Sequence, residues 1–222
     1  MKAMQFTLFK KTAFRVRDPL ATIEAYCFQS DFYENYDLQR PQDDESFNYI
    51  RFIGARIREK SFNDCKRIIE EYRDFELFRL DLESYLRNRT SEEQRKMSLR
   101  LNELCQRLDN IEGVGFSKAT KILHTRYPKI IPMIDNPLQK EYKTLKGQAW
   151  QIGDWAQLFN DYYDNFLPLE GETYQNLCQI QRDLSFLGLT KVRIFDILWW
   201  SYLKAKHLCS RGIKWKTISF EV

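Results

Sequence analysis

The residue in this sequence best placed to do chemistry is Asp135, because of what precedes it. The run Ile111-Glu112-Gly113-Val114-Gly115-Phe116-Ser117-Lys118-Ala119-Thr120 reads as a Gly-x-Gly turn opening into a helix, and Asp135 follows twenty positions after Gly115. A turn that exposes backbone amides at a helix N-terminus attracts anions, and the partial positive charge of the helix end adds to the attraction. Gly113 and Gly115 permit positive φ and leave no Cβ in the way of a phosphate. Val114 can anchor the turn in the core. Ser117 falls in the first turn of the helix, and Lys118 and Lys121, one turn apart, can reach neighbouring phosphates. A carboxylate held beside such a backbone can stabilise positive charge on a sugar or orient a water molecule. Asp135 also has a purely structural use. In Asp135-Asn136-Pro137, either of the first two residues can cap a helix with proline in its first turn.

These residues need elements to position them. Loose alternation near the N-terminus (Phe6, Leu8, Phe14, Val16) and at the C-terminus (Ile213, Trp215, Ile218, Phe220, Val222) predicts short strands that can pair with one another. Residues 31–44 read as a loop. From Glu45 the apolar spacing turns helical, with Phe47, Ile50, Phe52, Ile53 and Ile57 able to share one face. Ser61 is predicted to cap a second helix carrying Cys65, Ile68, Ile69 and Tyr72. Phe75, Phe78, Leu82, Tyr85 and Leu86 mark a third. Thr90-Ser91-Glu92-Glu93 reads as a capping box before a helix with Met97, Leu101, Leu104 and Leu108 inward. Tyr127-Pro128 should end the helix after the turn. Three further helices are expected after Asn136, over 154–166 and over 172–186, and Thr190 should cap a last long one. The fold class is therefore mainly α: a multi-helix bundle around a central helix-hairpin-helix motif at 98–127, with a short β pairing of the two ends. One domain over 1–222, or two interleaved helical lobes, accounts for the pattern.

Composition narrows the function. Hydrophobic residues make up 43%, with 16 Phe, 12 Tyr and 5 Trp, enough for a sizeable core. No apolar run reaches the length of a membrane span, and no signal-peptide core follows Met1, so a cytoplasmic protein without a membrane partner is expected. The five cysteines are scattered, which argues against a disulfide framework and against zinc or iron–sulfur ligation; buried thiols and no metal or other cofactor are the expectation. Lys and Arg exceed acids by four over 112–150 and by six over 191–216, while the intervening 151–190 is acidic. Two basic segments can meet as one basic face after folding. Asp43-Asp44-Glu45 reads as a helix-start cluster. Asp196, inside an apolar helix, reads as a buried carboxylate paired with Arg193 or a distant lysine. Trp199-Trp200 reads as core, and His124 as a surface or half-buried helix residue.

Ile111-Glu112-Gly113-Val114-Gly115 resembles the hairpin of the helix-hairpin-helix DNA glycosylase superfamily, over residues 98–145. The resemblance implies that glycine amides grip DNA, and that Asp135, approached through Ile131-Pro132-Met133-Ile134, sits at a nucleotide turned out of the duplex. It also implies that the lysine forming a Schiff base in the lyase-type members would fall at Ser117, so a monofunctional base-excision enzyme is the expected form. Closer overall is a resemblance to a bacterial helix-hairpin-helix family of uncharacterised function, carried by Ile53-Gly54-Ala55-Arg56-Ile57, Ala119-Thr120-Lys121-Ile122-Leu123-His124, the Pro128 and Pro132 frame, and Phe195-Asp196-Ile197-Leu198-Trp199-Trp200. Three functions stay open from the residues: a DNA N-glycosylase-like enzyme using Asp135, a non-catalytic nucleic-acid-binding module, and a helical interaction protein whose hairpin is architectural.

Overall fold

The computed structural model of the protein describes residues 3–9, 12–28, 55–72, 81–87, 92–146, 155–210 and 220–221. Alternating apolar side chains build β1 (Met4–Leu8) and β2 (Thr12–Val16), which bury Phe6, Leu8, Phe14 and Val16. The two strands pair antiparallel with Phe6 opposite Phe14, and the two rings stack at 5.3 Å. β3 (Phe220–Glu221) pairs antiparallel with β2, Val16 lying opposite Phe220. The N- and C-terminal segments thus meet in one small sheet of order β1-β2-β3. The N-terminal alternation belongs to two strands, because the chain turns at Phe9 (φ 52°), whose N–H donates to the Asn165 side-chain carbonyl.

The rest of the described chain is mainly helical: α1 (Pro19–Phe28), α2 (Glu59–Glu70), α3 (Leu82–Arg87), α4 (Glu92–Asp109), α5 (Gly115–Arg126), α6 (Asn136–Lys146), α7 (Trp155–Asp164), α8 (Glu172–Asp183) and α9 (Lys191–Cys209), with a 3-10 turn at Ser185–Leu187. The central element is α9. Val192, Ile194, Phe195, Ile197, Leu198 and Trp199 bury its first half on nearly every side, and it touches α1, α6, α8 and β2. A helix apolar on most sides has to be surrounded. Phe195 meets Phe166 and Tyr162 edge-on, with centroids 5.1 and 5.6 Å away. Truncating such a ring to Ala costs about 3–5 kcal/mol. α4 packs against α2, α5 and α7.

Several predicted boundaries hold. α5 ends before Tyr127, and the Thr190 hydroxyl accepts the Arg193 N–H at the start of α9. Ser61 differs from expectation. It lies inside the first turn of α2, whose start has no side-chain cap, and its hydroxyl donates to the Glu112 carbonyl at 2.9 Å. The predicted helix from Glu45 as far as Ile53, the loop at 31–44, Asp43-Asp44-Glu45, Phe75, Phe78 and the Thr90-Ser91 part of the capping box lie outside the described residues; Ile57, expected on that helix, lies instead in the non-helical segment 55–58 before α2. All five cysteines are free. Cys27, Cys65 and Cys105 are buried, Cys178 is half-buried and Cys209, contrary to expectation, is exposed. Burial pushes the Cys27 and Cys65 thiols up to about 12. Among the described residues no helix is long and apolar enough to cross a membrane.

Candidate functional site

The turn between α4 and α5 is tight and well bonded. Asn110, Ile111 and Val114 donate their N–H groups to the carbonyls of Gln106, Leu108 and Ile111 at 3.0–3.1 Å. Gly113 (φ 77°) and Gly115 (φ 63°) both take the left-handed conformation. A Cβ at either position would meet nothing within 4 Å. The glycines therefore answer a backbone need, and the space beside them is open to a ligand. Val114, 4% exposed, pins the turn to the core. No side chain caps the start of α5, so its first amides are not claimed by a capping oxygen. The Lys118 ammonium donates to the Gly113 carbonyl at 2.6 Å.

From α5 the chain returns through a mostly buried connector, residues 128–135. A buried loop must find partners for its backbone groups, and here side chains from several helices supply them. Thr190 donates to the Pro128 carbonyl at 2.8 Å and Tyr163 to the Ile130 carbonyl at 2.9 Å. His124 Nδ1 bonds the Ile131 carbonyl at 2.5 Å. Asp196 Oδ2 accepts the Met133 N–H at 2.7 Å, and the Thr120 hydroxyl accepts the Ile134 N–H at 3.2 Å. Asp196 Oδ1 is itself held by the Tyr162 hydroxyl at 2.6 Å. The connector is clamped along its length, and it ends on Asp135.

Asp135 is half-buried and caps α6. Its Oδ1 accepts the Leu138 N–H at 3.4 Å, its carbonyl accepts the Gln139 N–H at 3.0 Å, and Pro137 lies in the first turn. Burial raises its pKa above the ordinary carboxylate value; the Leu138 amide, the Lys121 and Arg193 cations and the Trp200 indole pull the other way without cancelling it. Burial lowers the Lys121 ammonium, Arg193 lowers it further, and Asp135 opposes both. The result is a carboxylate of raised basicity in a cationic surround. Lys121 lies six residues along α5 from Gly115, about 9 Å of helix axis, and one turn from Lys118 on the same side. Lys118 thus lies at the hairpin end of α5, and Lys121, one turn on, is near enough to Asp135 for each to act on the other's charge.

Two more ionisable groups, Asp196 and His124, are fully buried. Burial pushes Asp196 up to about 7, against the pull of Arg193, Tyr162 and the Met133 amide. Burial pushes His124 down to about 3, so its ring is neutral at pH 7. A carbonyl partner requires the proton on Nδ1. That leaves His124 Nε2 buried with no partner among the described residues.

Gly113, Val114 and Gly115 stand as the spacing required. Ser117 and Lys118 are half-buried in the first turns of α5. Lys118 folds back over the hairpin, and Lys121 is half-buried, with burial lowering its pKa and Asp135 raising it. His124, expected at or near the surface, is fully buried. Asp196 is buried as expected, but its direct partners are Tyr162 and Met133; Arg193 acts on it through charge and donates to the Tyr26 hydroxyl at 3.0 Å. Trp199 is core, whereas Trp200 is half-buried beside Asp135. Arg193, Trp200 and His124 carried no sequence signal for this site. The nearest hint was one aspartate inside Phe195-Asp196-Ile197-Leu198-Trp199-Trp200. Among the described residues no three His, Cys, Asp or Glu side chains converge as a metal site.

Residues 76–203 match a protein family described as a family of unknown function, DUF6308. That span includes the hairpin, the connector and α9 as far as Leu203. No curated protein and no solved structure matches the chain.

Proposed function

As the chain belongs to DUF6308, a family of unknown function, we propose from its own residues that it grips DNA through the 113–115 hairpin and releases a base from a nucleotide presented to Asp135. The observation that carries this reading is the line of groups along α5. At one end lies the uncapped start of α5, with open space beside its glycines and Lys118 over the turn; Lys121, about 9 Å further along the helix, acts through its charge on the clamped Asp135 carboxylate. The amides and Lys118 would hold phosphates and carry no sequence information.

Breaking an N-glycosidic bond builds positive charge on the sugar. A fixed carboxylate stabilises that charge without having to reorganise. Its raised basicity also suits it to take a proton from the attacking water. No lysine takes part covalently in this reading: Ser117 stands where the lyase-type lysine would, and the Lys118 ammonium is engaged with the Gly113 carbonyl.

The test is base release from a panel of duplexes carrying damaged or modified bases, read as alkali-labile abasic sites. Release by the natural protein and none by Asp135→Asn is expected. Release that survives Asp135→Asn removes the mechanism. Salt-sensitive duplex binding with no release across the panel favours the non-catalytic binding module, a reading that the capping role of Asp135 also supports. No duplex binding at low salt removes both.

A further inference from the structure

Between α6 and α9 runs a groove of about 640 Å³ that begins beside Asp135, at Asn136 and Trp200, and reaches Thr144 and Ser210. Along α6 from Asn136 to Thr144 it spans about 12 Å. Its floor is apolar, with Pro137 on one helix and Trp200 and Leu203 on the other, and its rim is cationic, with Lys140, Lys204 and Lys206. The Lys204 ammonium lies 4.6 Å from the centre of the Trp200 ring. The acid at the rim, Glu141, is held by Lys206 at 3.1 Å. Resting on the DNA reading above, we infer that this groove is a track for an unpaired strand, so that the preferred substrate is DNA with a few unpaired nucleotides adjoining the site rather than a fully paired duplex.

The chemistry favours a single strand over other occupants. A positively charged groove with an aromatic wall suits a phosphate backbone and the π-face of any base, whatever the sequence. A cationic or acidic peptide would not gain from both features: the first is repelled by the rim, and the second leaves the flat apolar floor unused. A duplex is too wide for a channel one helix pair across. The groove is also continuous with the Asp135 site. Trp200 lies near enough to that carboxylate to lower its pKa, and it lines the groove, so a strand leaving Asp135 meets Trp200 next, with Lys204 and Lys140 placed for its phosphates.

Fluorescence anisotropy at fixed salt tests this with three labelled DNAs: a blunt duplex, the same duplex with a four-nucleotide unpaired tail, and the tail alone. The tailed duplex is expected to bind roughly tenfold tighter than the blunt one, the worth of about one stacked base. Thr144→Trp, an exposed position that fills the groove, should bring that ratio close to one and leave blunt-duplex affinity unchanged. Lys204→Glu should do the same and lower the salt slope for the tailed DNA by about one. Far-UV circular dichroism confirms that both variants fold. Equal binding of blunt and tailed duplex, or a preference untouched by Thr144→Trp, overturns the inference while the hairpin reading stands. Failure of every DNA to bind overturns both.

Discussion

Asp196→Asn should change the pH dependence of stability in a defined direction. In the folded protein Asp196 is buried, and burial holds its carboxyl up to about 7, against 3.8 in the unfolded chain. A carboxyl with a raised folded pKa stabilises fully below the unfolded value, where both states are protonated. That contribution is lost as pH rises from the unfolded value through the folded one, because the unfolded chain ionises while burial keeps the folded carboxyl protonated. The gap between 3.8 and about 7 corresponds to about 4 kcal/mol across the window. Asparagine fits the site. Its amide oxygen can accept the Met133 N–H, and its amide nitrogen can donate to Tyr162, whose own proton then turns to the Val192 carbonyl at 3.2 Å. Urea unfolding of the natural protein and the variant, in half-unit steps from pH 4 to 7.5, isolates the effect, because titrations common to both cancel in the difference. The natural protein should lose about 4 kcal/mol relative to Asp196→Asn between the two ends of that range. A difference that stays flat, or slopes the opposite way, refutes the assignment of Asp196 as a buried group that titrates near neutrality.

His124→Asn should show the reverse slope. His124 is held down to about 3 by burial, so the natural protein loses stability as pH falls from 6.5 towards 3, and the variant, whose amide nitrogen can replace Nδ1 on the Ile131 carbonyl, should be relatively steadier in acid by the same urea assay. Gly115→Ala forces a Cβ into the left-handed region at φ 63°; thermal melts should show a loss of about 1–2 kcal/mol, and duplex binding should weaken although nothing lies within 4 Å to clash. Lys121→Met removes a cation beside Asp135, so the carboxyl should rise further and the acidic limb of any base-release profile should move to higher pH. Thr190→Ala deletes both the cap of α9 and the bond to Pro128, and chemical unfolding should report a loss of about 1 kcal/mol or more.

Features set by neighbours in the chain were legible from residue order. Positive φ at Gly113 and Gly115, the anchoring of Val114, the helix start at Asp135-Asn136-Pro137, the Thr190 cap and the alternation of Phe6, Leu8, Phe14 and Val16 each depend on a few adjacent residues, whose steric and hydrogen-bonding preferences act locally. The same holds for the apolar length of α9, which announces a surrounded helix.

What surrounds Asp135 was decided by tertiary structure alone. Met133 and Asp196 stand 63 residues apart, Pro128 and Thr190 62, and Tyr162 and Asp196 34. Nothing in local sequence tells a buried aspartate which distant amide it will hold, because a hydrogen bond is specified by where packing brings two groups and not by their types. For the same reason His124 could not be placed at the core, nor Lys121 beside Asp135 rather than in solvent. Local chemistry determined the turn, the caps and the strands. The fold determined which charges share one low-dielectric space, and with that the raised basicity of Asp135.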